Sequence, residues 1–202
     1  MKHLKMFALA AAAVGVFMAF AGTSSSSALV WCTENKNPCP KAKTVLIIIE
    51  SRVKPGKISN TSGTTLDECM GGELETAEDK QGSGIPITAE IKALTWSGCT
   101  GTTDTIKTGS MEVTEISGTS NGTVTLKGTE VTGVFSGLSC TYGAGTGTDV
   151  GTLESSGEEG FMNMSGVFNK TSGSILCPAD VQLQEKWKIT NHKVVYVVSE
   201  GE

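Results

Sequence analysis

Six cysteines, two histidines and a scatter of carboxylates are the side chains with the most chemistry in this sequence, and their spacing points to staples rather than catalysts. The cysteines stand at 32, 39, 69, 99, 140 and 177. An even number in an oxidising compartment reads as bridges, although six cysteines admit many connectivities. Cys32 and Cys39 bracket a short polar loop containing Pro38, so a local bridge is geometrically easy. Spacing then favours Cys69 with Cys99 and Cys140 with Cys177. Each bridge would contribute roughly 2.5 to 4 kcal/mol by restricting the unfolded chain. A zinc centre is disfavoured, since no Cys-x-x-Cys occurs and histidine is nearly absent; no metal and no cofactor is expected.

A catalytic relay would have to use His192, because His3 lies in the N-terminal leader. No Gly-x-Ser-x-Gly elbow presents a nucleophile, and Thr190-Asn191-His192-Lys193 reads as a turn. The adjacent acids Asp67-Glu68, Glu78-Asp79 and Glu158-Glu159 could serve a glycosidase or bind calcium, but no EF-hand loop surrounds them and such pairs on loops are usually solvated. Gly143-Ala144-Gly145-Thr146-Gly147 lacks the Gly-Lys-Ser/Thr ending of a nucleotide loop. The chain is therefore read as not an enzyme. Trp31, Trp96 and Trp187 could stack on sugar rings, yet Trp96 beside Cys99 and Trp187 on the apolar side of its strand look like core. Trp31 and Trp187 are kept as the ligand-binding candidates, for a glycan or an apolar molecule.

These residues must be positioned by the rest of the chain, which begins as a leader. Lys2 and Lys5 precede an uncharged apolar run from Met6 to Phe20, shorter than the roughly 20 residues of a membrane helix. Ala19-Phe20-Ala21 offers a cleavage site, with Ser26-Ser27-Ala28 as the alternative, so residues 1–21 read as a signal peptide and no membrane span is expected after its removal. Residues 22–43 form an N-terminal segment with the local cysteine loop, and 44–202 an all-β domain. With 25 glycines, abundant Thr and Ser and only 5% aromatics, the core must be thin and the strands short. A formal charge of −5, more negative once the leader's lysines are gone, argues against nucleic acid as a partner.

Period-two patterns dominate. Strands are predicted at Thr44–Ser51, Ala89–Gly98, Met111–Ile116, Thr123–Lys127, Glu130–Phe135, Val150–Glu154, Phe161–Phe168, Val181–Thr190 and Lys193–Ser199, with a tight Asn121-Gly122 hairpin turn. In the Val181 strand, Val181, Leu183, Trp187 and Ile189 share one face. Glu73–Gly84 reads as an exposed acidic loop. The pattern predicts a single-domain antiparallel sandwich or Greek-key barrel with disulfides. An outer-membrane barrel fits less well, because aromatic girdles are missing.

Trp31-Cys32, Cys39-Pro40, Leu94-Thr95-Trp96-Ser97-Gly98-Cys99-Thr100, Cys140-Thr141-Tyr142, Cys177-Pro178 and Val195-Tyr196-Val197 together resemble a family of small secreted, cysteine-paired, β-rich proteins of soil actinobacteria. That resemblance implies export, a β-rich fold and paired cysteines, and assigns no activity. A weaker similarity, to the secreted protein activator of alkane oxidation, suggests a surface-active or adhesive role. The expectation is a secreted or cell-surface, non-catalytic structural or adhesive protein meeting cell-envelope or extracellular matrix components, the alternative being an extracellular binding module. Thiol labelling of the natively purified protein should find no reactive cysteine; six reactive thiols would remove the basis of the whole reading.

Overall fold

Alternating side chains and glycine-rich turns leave the chain little choice but strands. The computed structural model describes residues 29–36, 38–39, 49–76, 83–84, 86–156, 158–190 and 196–199. The expected leader, Thr44–Ile48, Glu78-Asp79 and His192 lie outside them. The strands are β1 (Leu29–Cys32), β2 (Ile49–Asn60), β3 (Thr65–Thr76), β4 (Ser83–Gly84), β5 (Ile87–Cys99), β6 (Thr102–Lys107), β7 (Ser110–Glu115), β8 (Gly122–Lys127), β9 (Glu130–Phe135), β10 (Leu138–Gly143), β11 (Thr148–Ser156), β12 (Glu159–Gly173), β13 (Asp180–Ile189) and β14 (Tyr196–Ser199). Among the described residues no helix is long and apolar enough to cross a membrane.

Every ladder is antiparallel, and two rings share the longest strands. The order β11-β8-β7-β5-β3-β2-β13-β12 closes on itself because the first half of β12 pairs with β11. The all-β expectation is thus realised as a barrel. The second half of β12 turns instead to β10, which continues through β9 to β6. These strands wrap a second lobe around the ends of β2, β3, β5 and β13. A small sheet of β14, β1 and β4 lies against the first barrel near its β7–β8 loop, where the Val197 amide donates to the Ser120 carbonyl at 2.8 Å.

One continuous core runs through both lobes. Ile87, Ala89, Met111, Val113, Val124, Leu126 and Leu153 alternate inward from the first barrel, and Trp31 and Val197 join them from the small sheet. β13 faces inward with Val181, Leu183, Trp187 and Ile189, as expected, and also with Glu185. Beside Glu185 the facing strand bulges: Lys54 pairs with Lys186 and Lys57 with Gln184, so Pro55 and Gly56 together oppose one residue. Proline is tolerated there because a bulge does not need its missing N–H. Gly56 is needed because a Cβ would lie 2.3 Å from the Glu185 Oε1.

Two expectations are corrected. Glu73–Thr76 is not loop but the end of β3, with Leu74 wholly buried opposite Leu94 and Thr76 buried beyond it. The acids flanking Leu74 lie on the solvated side, and one apolar residue among them was too weak a periodic signal. The Asn121-Gly122 pair is not a two-residue turn either. Glu115 pairs with Gly122, the loop spans 116–121, and the positive φ belongs to Gly118. Gly122 opens β8, where a Cβ would lie 2.3 Å from Val113 Cγ1. Leu74→Ala should therefore cost about 2 to 5 kcal/mol in urea unfolding, as a core truncation does, whereas a loop leucine would cost under about 0.5 kcal/mol.

Candidate functional site

Four turns meet at one pole of the second lobe. They join β2 to β3, β5 to β6, β9 to β10 and β12 to β13, and register places them side by side: Asn60 pairs with Val181, Cys140 with Gly173, Thr102 with Val134, and Cys69 with Cys99. Each turn has its own local cause. In the first, Asn60 Oδ1 accepts from the Thr64 amide at 2.8 Å and the Ser62 hydroxyl at 2.7 Å, while Gly63 supplies the positive φ. Ser136 and Gly137, with φ of 52° and 79°, make the two-residue primed hairpin that the sequence had suggested at Asn121-Gly122.

The β5–β6 turn is held by a buried carboxylate. Asp67, only 1% exposed, accepts at Oδ1 from the Thr100 hydroxyl and from the Gly101 and Glu68 amides, each at 2.8 Å, and at Oδ2 from the Thr103 hydroxyl at 2.5 Å. Burial by itself would raise the Asp67 pKa; the bonds from Thr103, Gly101, Thr100 and Glu68 together outweigh it and hold the carboxyl below its ordinary value. Asp67 and Glu68 point to opposite sides of β3, so this adjacent pair is not a two-carboxylate site. Glu159 of the other described pair meets the Lys188 ammonium on the surface.

Disulfides brace the same pole. Cys69–Cys99 ties β3 to β5 two residues from Asp67, and Cys140–Cys177 ties β10 to the β12–β13 turn. The third bridge, Cys32–Cys39, closes the loop after β1. The Asp67 carboxylate and the sulfurs of Cys69 and Cys99 lie within 4.8 Å of one another, but the sulfurs are bonded together and so do not offer thiolates. The β12–β13 turn is further fixed by the Tyr142 hydroxyl donating to the Pro178 carbonyl at 3.3 Å and by the Lys170 ammonium reaching the Ser174 and Cys177 carbonyls. Burial, and then the charge of Asp180, raise the Tyr142 pKa, which keeps this donor protonated.

On that clamped turn Ile175 is 92% exposed and Leu176 74%. None of the residues in the four turns, 60–65, 99–102, 135–138 and 173–179, is charged, in a chain of which 18% is. In the lobe's interior Ile58, Val131, Phe135, Tyr142, Phe168 and Leu183 leave a cavity of about 10 Å³, scarcely one water.

Trp31 and Trp187, kept as ligand-binding candidates although the sequence favoured core for the tryptophans, are core residues. Trp31 and Trp187 are each 0% exposed, and stacking on a pyranose needs an open ring face. Trp187 instead meets Trp96 edge-on at 6.5 Å, and Trp96 Nε1 donates to Thr105 Oγ1 at 2.8 Å. Sequence reasoning missed the Ile175-Leu176 tip. Its signal was two aliphatics placed between Ser174 and Cys177-Pro178, too short to carry a period. It also missed the cleft of about 400 Å³ at the β2 bulge, lined by Pro55, Lys57, Met164, Ser165, Gln184 and Glu185.

Neither a protein-family model, nor a curated protein, nor a solved structure matches this chain.

Because the folded Asp67 pKa lies below the ordinary 3.8, its contribution to stability is complete well above that value and is lost as pH falls through the folded pKa. Asp67→Asn should cost about 1.5 to 3 kcal/mol at pH 7, the range of a hydrogen-bonded buried charge. The difference between variant and parent in urea unfolding should shrink towards pH 2; a gap constant with pH would show that the charge is not what matters.

Proposed function

We propose that this chain is an exported, non-catalytic adhesive protein of the cell surface or extracellular space, and that it makes contact through the turn pole. The observation that carries the reading is the coincidence, at one end of the molecule, of four turns, two disulfides, the Asp67 lock and a rim without charge. Rigid turns on a barrel lose little conformational freedom on binding, which favours a contact surface. An uncharged rim of Thr, Ser, Gly and Asn also has little to lose by desolvation, since burying unpaired charge is what costs most. Export is part of the proposal and rests on the leader at residues 1–21 together with the three bridges. The partners in view are components of the cell envelope or extracellular matrix.

A second reading, an extracellular binding module, draws on the bulge cleft. There a buried carboxylate, two amine-bearing chains and a glutamine amide converge around Met164, a mixed lining of the kind that orients small polar ligands. The two readings separate by where a substitution acts. Cell fractionation should place the protein outside the cytoplasm, and purified protein should be retained on envelope material. Thr61→Asp with Ser136→Asp, both on exposed turns, should lower that retention by about tenfold or more. Loss on Gln184→Ala instead would favour the cleft, and no retention of the unsubstituted protein would end the adhesive reading.

A further inference from the structure

We infer that the turn pole docks on an uncharged lipid surface, with Ile175 and Leu176 as the pair that enters it; this rests on the reading of the pole as the contact site. Two aliphatic side chains at 92% and 74% exposure are unusual on a chain with so few large apolar residues, and here they adjoin on one turn. The turn cannot fold them away. Cys177 is bridged to Cys140, the Cys177 amide donates to the Ser174 carbonyl at 3.0 Å, and the Leu176 amide to Ser174 Oγ at 3.2 Å. Their solvent exposure is thus built in rather than a consequence of slack.

The surroundings favour lipid over a protein partner. A stable protein interface takes roughly 20 to 30 residues a side with a buried apolar centre, and two side chains on a protruding turn are far short of that. Insertion into acyl chains needs only the protrusion and a rim that can sit among headgroups without stranding a charge. The four turns provide this rim of hydroxyls, amides and glycines. Met70 at 66% and Val134 at 38% exposure stand on the wall just behind it, enlarging the apolar footprint. Lys170 and Asp180, one of each sign, back the tip, and the buried Asp67 carboxylate lies behind the neighbouring turn, so the pole has no net attraction for anionic lipid. An electrically neutral, zwitterionic surface is the match, and a chain with formal charge −5 would be repelled by an anionic one.

The test uses the full mature chain and phosphatidylcholine vesicles in a flotation assay. Unsubstituted protein should float with the vesicles, with binding little changed by salt and not strengthened by adding phosphatidylglycerol. Ile175→Ser with Leu176→Ser should lower partitioning by about tenfold or more, the loss expected when two exposed aliphatics no longer leave water. The thermal melt should stay put, because neither side chain is packed. No flotation, or equal flotation by the variant, overturns the inference. If flotation fails while retention on envelope material still depends on Thr61 and Ser136, only the lipid assignment falls; if retention fails as well, the contact pole falls with it. A dimer in gel filtration that the double serine variant dissolves would make a second copy the occupant and likewise overturn it.

Discussion

A ring of strands is held together only as well as its weakest seam, and in the second lobe that seam lies between β5 and β6. Among the described residues these consecutive strands share no ladder, although every other neighbouring pair around the lobe does. The ordinary cement of a sheet, repeated N–H to C=O bonds, is missing there. Three other interactions cross or flank the gap: the Trp96 indole bonded to Thr105, the Cys69–Cys99 bridge behind it, and above all the Asp67 carboxylate. From its seat on β3, Asp67 reaches over the end of β5 to bond Thr100 and Gly101 of the turn and Thr103 of β6. A single charged group accepting four hydrogen bonds can replace a short ladder because each such bond is stronger than its neutral counterpart.

The two lobes solve the shortage of large apolar residues differently. The first barrel fills itself with aliphatics, three methionines and two indoles. The second lets backbone approach rings. Gly133 lies under the Phe135 ring, where a Cβ would be 2.1 Å from Cζ, and Phe135 in turn tilts against Tyr142 at 6.4 Å. Both methods give close packing, but the second depends on a glycine, Gly133, that cannot be replaced without moving a ring.

What was legible in the sequence follows from how local each signal is. Glu130–Phe135 shows a clean alternation between two glycine-bearing turns, and its boundaries in the structure are those the pattern gives. The inward face of β13 was equally plain from Val181, Leu183, Trp187 and Ile189. β6 was not, because Thr102–Lys107 holds one large apolar residue, Ile106, and that residue faces solvent. β6 is a strand because of what Asp67 and β9 do to it, not because of its own pattern. The candidate site was illegible for a related reason. Its four turns are scattered over more than a hundred positions of sequence, and only the closure of the lobe brings them together.

The position of β1 and β14 has a consequence for attachment. The two strands pair directly, Leu29 with Ser199 and Cys32 with Tyr196, and they sit beside the β7–β8 loop. β5 runs from that side, at Ile87, to the turn pole, at Cys99. Leu29 and Ser199 therefore both lie at the end remote from Ile175. A tether, reporter or immobilising tag attached at Leu29 or Ser199 would present the molecule tip-first.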